Sequence, residues 1–302
     1  MIVKKIVLKA IFKLNNRKDR DMNKEIYEIV EMPNGIKMLS VLPINATGVA
    51  EAYSTIRNSP GGVSKGDCGP FSTNLYKKLG LEEGCEDFRT ACDAIGISDR
   101  EVITNRLTAI TDKVRIVSSK DLVDYDIYDE PAAPRADGLV TTDNSIALFN
   151  YAADCAITVM LDPTLRIIGS HHASWRGSLL GIFQNQVKAF IELGSNPKDI
   201  IAVVFPSIGV ANYEMGEDAV KMFDDAGYGK FIDHSSFDKP HADLPRMNKH
   251  ILLSCGLKES NVYIMDDTDT FSDSDMWHSY RRGPIIDGKH LNGMNGYFIK
   301  LK

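Results

Sequence analysis

AADCAITVMLDPTLRIIGSHHASWRG, residues 152–177, is the stretch whose reading decides the fold. Ala156 to Leu161 is an apolar run of strand length, Asp162-Pro163-Thr164 reads as a turn, and Leu165 to Ser170 reads as the returning strand. The hairpin so formed carries Cys155, just ahead of its first strand, to His172, just beyond its second. A thiol and an imidazole brought together make either part of a metal site or a nucleophile with its base.

Working outward, Leu179, Leu180, Phe183, Val187, Phe190 and Ile191 recur at helical intervals, which predicts one helix from soon after Trp175 to near Gly194. His172 then precedes a helix N-terminus, where free backbone N–H groups and the helix dipole favour an anion, and Arg176 adds positive charge there. Downstream the pattern predicts strand Ile200 to Phe205, helices Gly216 to Ala226 and Leu244 to Cys255, and strand Val262 to Met265. Upstream, Ile36 to Leu42 and Val49 to Thr55 read as strands, and Glu86 to Ile95 as a helix closed by Gly96. Val102 to Ile110 with Val114 to Val117 reads as a second hairpin, and ADGLVTTDNSIALFNYAADC as strand, turn, strand. Mixed α/β architecture follows from this alternation.

The chain has 302 residues, of which 43% are hydrophobic and 25% charged, ample apolar material for a core. A formal net charge of -6 excludes the basic footprint of a nucleic-acid binder. Five cysteines without a C-x-x-C pair suit a reducing compartment, so the protein is expected to be cytoplasmic. Residues 1–22 are basic, and Lys9 and Lys13 interrupt their apolar runs before a membrane span could form. The spacing there permits a short amphipathic helix; a poorly ordered extension is the reading taken, with residues 23–302 as one domain and no membrane association.

ADGLVT (Ala136 to Thr141), ADC (Ala153 to Cys155), HHASWRG (His171 to Gly177), PSIGVANYEMG (Pro206 to Gly216) and SYRR (Ser279 to Arg282) resemble motifs of the laccase-domain family. That family is labelled polyphenol oxidase or purine nucleoside phosphorylase. GGVS at Gly61 to Ser64, Asn74-Leu75 and Asn105 to Leu107 extend the resemblance. It implies an α/β (α+β) fold: a single domain of mixed β-sheets flanked by helices in a layered sandwich. It also implies phosphorolysis of adenosine, inosine and methylthioadenosine, possible adenosine deamination, and a zinc or copper ion held by His, Cys and His. The partners implied are a purine nucleoside and phosphate, with a monomer or homodimer as the assembly.

On this resemblance Cys155 and His172 take the family's Cys and second-His positions and are the expected catalytic residues and metal ligands. Arg57, Asn74, Asp154 and Arg176 are the expected substrate-binding residues. Thr111 stands where the family has its first His, Asp269-Thr270 where it has Cys-Thr, and Ser174 where it has Gly. A threonine hydroxyl is a poor substitute for imidazole at zinc, so the metal is expected to be weakly bound or absent unless His171, Asp154 or Asp112 compensates. Two further readings stay open: a catalytically degenerate nucleoside-binding paralogue, and a metal-free thiol hydrolase using Cys155 and His172. A multicopper phenol oxidase is disfavoured, because seven histidines without an H-x-H pair cannot supply a blue copper and a copper cluster.

Overall fold

The computed structural model describes residues 26–59, 86–105, 110–123, 127, 135–283, 285–286, 289–290 and 293–302. Strands β1 (Tyr27–Glu31), β2 (Lys37–Val41) and β3 (Ala50–Thr55) come first, with the short helix α1 (Leu42–Asn45) after β2. Helix α2 (Glu86–Ala94) precedes β4 (Val102–Thr104), β5 (Val114–Ile116), β6 (Gly138–Thr141) and β7 (Ala147–Ala152). The hairpin of β8 (Ala156–Asp162) and β9 (Ile167–Ala173) leads into α3 (Trp175–Leu180) and α4 (Ile182–Glu192). Next come β10 (Ile201–Val204), α5 (Glu217–Asp225), β11 (Ile232–Asp233), β12 (His241–Ala242) and α6 (Leu244–Ser254). The last described elements are β13 (Val262–Ile264), β14 (Ile285–Ile286), β15 (Lys289–His290) and β16 (Asn295–Leu301).

Two six-stranded mixed sheets, ordered β1-β2-β3-β16-β7-β4 and β13-β10-β8-β9-β6-β5, face one another. The space between them is filled by Leu39, Ala52, Leu148 and Ile299 from the first sheet and by Ile157, Val159, Leu161, Ile168 and Val203 from the second. Side chains alternate across a strand, so Ala156 and Met160 of β8 turn to the other face. There they meet Phe183, Val187 and Phe190 of α4 and Met247, Ile251 and Leu252 of α6. The outer face of the first sheet carries Met38, Phe149 and Phe298 against Phe88, Ala91 and Cys92 of α2. The result is the expected layered sandwich, a mixed α/β single domain in four layers. Strands buried on both faces explain why β7 and β8 read as continuous apolar runs rather than alternating ones. Among the described residues no helix is long and apolar enough to cross a membrane.

The deciding hairpin forms, with its turn shifted. Asp162 Oδ1 accepts the N–H groups of Thr164 and Leu165, each at 2.9 Å, and Arg166 takes the left-handed conformation at φ 54. The turn therefore runs through Arg166, and the returning strand starts at Ile167 instead of Leu165 and continues through His172 to Ala173. Gln186 of α4 wedges against this sheet where glycine leaves room: a Cβ on Gly138 would lie 2.3 Å from its Oε1, and one on Gly169 2.4 Å from its Nε2. Its Nε2 donates to Leu139 O at 2.9 Å, tying helix to sheet.

Two sequence readings need correction. The second hairpin is not seen among the described residues: β4 runs parallel to β7 in one sheet, and β5 runs parallel to β6 in the other. β6 and β7 form as the strands expected on either side of their turn; they belong to different sheets, so that turn crosses the sandwich. Apolar pattern identifies a strand without naming its partner. The single helix after Trp175 is two, because Gly181 adopts φ 106 and ends α3 after six residues. The expected extension at residues 1–22, the GGVS loop and Asn74 lie outside the described residues.

Candidate active site

The register of β8 and β9 sets Ile157 opposite His172. Cys155 precedes Ile157 by two residues and packs, like it, toward the space between the sheets, so Cys155 and His172 share a face as diagonal neighbours. The same alternation sends His171 the other way. It is fully buried, edge-on to Phe183 at 4.5 Å between ring centroids.

His172 is held at three points. Its N–H donates to Asp137 O at 2.8 Å, its Nδ1 lies 3.3 Å from Asp137 Oδ1, and Cys155 lies close beside it. Burial opposes a charge on this imidazole, but Cys155 and the Asp137 carboxylate outweigh it and push the His172 pKa up to about 10. Asp137 is 2% exposed, and its Oδ2 accepts the Thr111 N–H at 2.7 Å, so one carboxylate joins the Thr111 segment to His172. The sequence reading passed over Asp137. The signal was its place directly before β6, whose Gly138 pairs with His171.

This donor set does not fit a three-ligand metal ion. Cys155 and His172 are two donors, and Thr111, at the third position, has a neutral hydroxyl that accepts the Lys113 N–H at 3.2 Å. Among the described residues no group of three His, Cys, Asp or Glu side chains could hold a metal. The three possible substitutes are directed elsewhere. His171 faces the helices, Asp112 accepts from Asn185 of α4 at 3.1 Å, and Asp154 is engaged with the loops.

Asp154 ties those loops together. At φ 85 it is a left-handed non-glycine residue. Its carboxylate accepts Thr270 Oγ1 at 2.7 Å, Ser279 Oγ at 3.0 Å and the Arg281 N–H at 2.7 Å, while its carbonyl accepts the Ile208 N–H at 3.0 Å. Asp269, in place of the family's Cys, accepts from Asn212 Nδ2 and from Ser272 Oγ at 3.2 Å.

Of the other expected substrate residues, Arg57 lies close enough to Arg282 to lower its pKa, second to burial as a cause. Arg57 Nη1 donates to Ser274 O at 2.6 Å, and its buried Nε has no partner among the described residues. Arg282 is spent on the backbone carbonyls of Thr270, Phe271 and Trp277 and is structural. Arg176 is exposed and lies over the Trp175 ring at 4.1 Å. The following helix, α3, is six residues long, and its Gly177 N–H is capped by Ser174 Oγ at 3.1 Å. Tyr213, within the PSIGVANYEMG segment but not singled out from sequence, stands near Cys155, Asp154 and Arg176, with Arg281 5.6 Å over its ring. Burial first, then the Cys155 charge, holds its phenol protonated above the usual range.

His171 gives a stability prediction. Burial, then the charge of His172, pushes its pKa down to about 3, and neither ring nitrogen has a partner among the described residues. The unfolded chain binds this proton near pH 6.5 and the folded chain only near pH 3. His171 therefore permits full stability above pH 6.5, which is lost by about 1 kcal/mol per pH unit as pH falls toward 3. Urea titrations from pH 7 to 4 are expected to show a shallower acid loss for His171→Leu than for the native protein. An unchanged slope would remove His171 as the cause.

A family profile described as multi-copper polyphenol oxidoreductase laccase matches residues 52–299. The chain is 28% identical over 214 residues to a purine nucleoside phosphorylase of Deinococcus radiodurans, covering 71% of this chain and 80% of that one. It is 29% identical over 136 residues to adenosine deaminase RL5 of an unknown prokaryotic organism, covering 44% of this chain and 52% of that protein. The crystal structure of the Bacillus licheniformis hypothetical protein YfiH superposes with a TM-score of 0.77 at 22% identity, covering 92% of this chain and all of that one.

Proposed function

The chain belongs to the multi-copper polyphenol oxidoreductase laccase family, and from that premise we propose that it is a purine nucleoside phosphorylase centred on Cys155 and His172. The observation that carries this reading is the protonated His172, held between Cys155 and Asp137. Phosphorolysis needs an anion beside the ribose and a proton for the departing base. His172 delivers that proton to a purine ring nitrogen as the glycosidic bond breaks and a phosphate oxygen bonds to the sugar carbon. Arg57, beside Arg282, supplies positive charge for the phosphate, and Tyr213 with Arg281 forms a wall for the base. Asp154 acts by positioning the loops, and no step is routed through a metal. The relatives named purine nucleoside phosphorylase and adenosine deaminase support nucleoside chemistry. The copper oxidation in the family's title draws no support from seven histidines without an H-x-H pair.

The test is mass spectrometry of the products formed from adenosine and phosphate, with Cys155→Ala as control. Adenine with ribose 1-phosphate is expected from the native protein and not from the variant; inosine would mark deamination. Adenosine binding with neither product would replace this reading with that of a degenerate nucleoside-binding paralogue.

A further inference from the structure

Thr111 removes a metal donor and leaves the geometry of a nucleophile intact. Cys155 and His172 are diagonal neighbours across the β8 and β9 pair, His172 Nδ1 meets Asp137 Oδ1 at 3.3 Å, and Asp137 is fixed in turn by the Thr111 N–H at 2.7 Å. Thiol, proton acceptor and orienting carboxylate are the three roles of a thiol hydrolase, defined by contacts and not by order along the chain. Here the order is Asp137, Cys155, His172. Asp137 and Cys155 directly precede β6 and β8, the two strands paired with the β9 that carries His172, and the His172 N–H bonds Asp137 O at 2.8 Å, so the array rests on paired backbone at one end of the sheet. Cys155 is only partly buried.

We propose that Cys155, His172 and Asp137 form a metal-independent nucleophilic centre that hydrolyses small esters or thioesters. With its proton already on His172, the Cys155 sulfur bonds to the acyl carbon of the substrate. The bond from carbon to the leaving alcohol or thiol then breaks, and His172 returns the proton to that leaving group. Water attacks the resulting thioester, gives a proton to His172, and releases the acid, with the sulfur leaving as the thiolate beside the protonated imidazole. Asp137 is the positioning residue, holding the imidazole in line without touching substrate.

Chelator-treated protein is incubated with limiting iodoacetamide, and the modification of Cys155 and Cys255, both partly buried, is followed by peptide mass spectrometry. Cys155 is expected to react at least about tenfold faster than Cys255, and Asp137→Asn to slow Cys155 alone by about tenfold. In parallel, 4-nitrophenyl acetate should be turned over by the native protein, lost in Cys155→Ser, and slowed through kcat rather than KM in Asp137→Asn. Cys255 reports whether the variant is folded; if it is not, the Cys155→Ser comparison decides alone. Equal reactivity of the two cysteines, or ester turnover that survives Cys155→Ser, overturns the proposal. So does Cys155 that becomes reactive only after a stoichiometric metal is stripped. The adenosine assay on the same preparation keeps failure of this centre separate from failure of the phosphorylase reading.

Discussion

Replacing Thr111 by histidine is expected to create a zinc site, raising affinity by at least about 100-fold and bringing the metal content of purified protein close to one ion per chain. Supporting shells alone change metal affinity by about 10- to 100-fold, and a first ligand counts for more. The structure gives the substitution a specific place. The Thr111 backbone is bonded to Asp137 Oδ2 at 2.7 Å, and the other oxygen of that carboxylate meets His172 at 3.3 Å. Position 111 is therefore fixed one carboxylate away from the Cys155 and His172 pair, and an imidazole there completes three protein ligands with a fourth position open. Competition titration against a zinc chelator checks this. Unchanged affinity would mean that the segment holding position 111 does not present its side chain to the pair. The same variant should lose rapid Cys155 alkylation, because a zinc-bound thiolate is no longer free.

Asp154→Ala is expected to lower stability by about 3 kcal/mol, measured as a fall in the urea midpoint at constant slope. Alanine removes the acceptor of three hydrogen bonds, from Thr270, Ser279 and Arg281, and is itself strained at φ 85. Asp154→Asn keeps an acceptor and tolerates the left-handed backbone, so its loss should be nearer 1 kcal/mol. Nucleoside turnover should fall in both, since the Arg281 segment rests on this carboxylate and Arg281 flanks Tyr213. Equal losses from the two variants would assign the effect to the chain conformation and not to the carboxylate.

Much of the sandwich was legible because its signals are local. The β8 and β9 hairpin closes over a few residues, α2 ends at Gly96 with φ 67, and apolar runs name the buried strands. Pairing was not legible where partners are far apart: β4 with β7 and β5 with β6 are parallel pairs that no turn residue announces. Cys155 and His172 could be placed together because a hairpin joins them. Asp137 could not, since its role depends on β6 lying beside β9. Asp154 was read as a substrate contact, and only the tertiary structure reveals three loop donors converging on it. The helical periodicity from Leu179 to Ile191 runs across Gly181, yet the positive φ of that glycine divides the helix in two.

β16 is the last described element along the chain and lies inside the first sheet, bonded to β3 on one side and β7 on the other. Until it is made, both neighbours present bare edges whose apolar faces already belong to the two cores. Pairings this distant in sequence form slowly, and unpaired edges invite association in the meantime. During synthesis the β8–β9 hairpin can close on the growing chain. The sandwich that buries it cannot close until β16 leaves the ribosome, so refolding should be slow and its yield should fall as protein concentration rises.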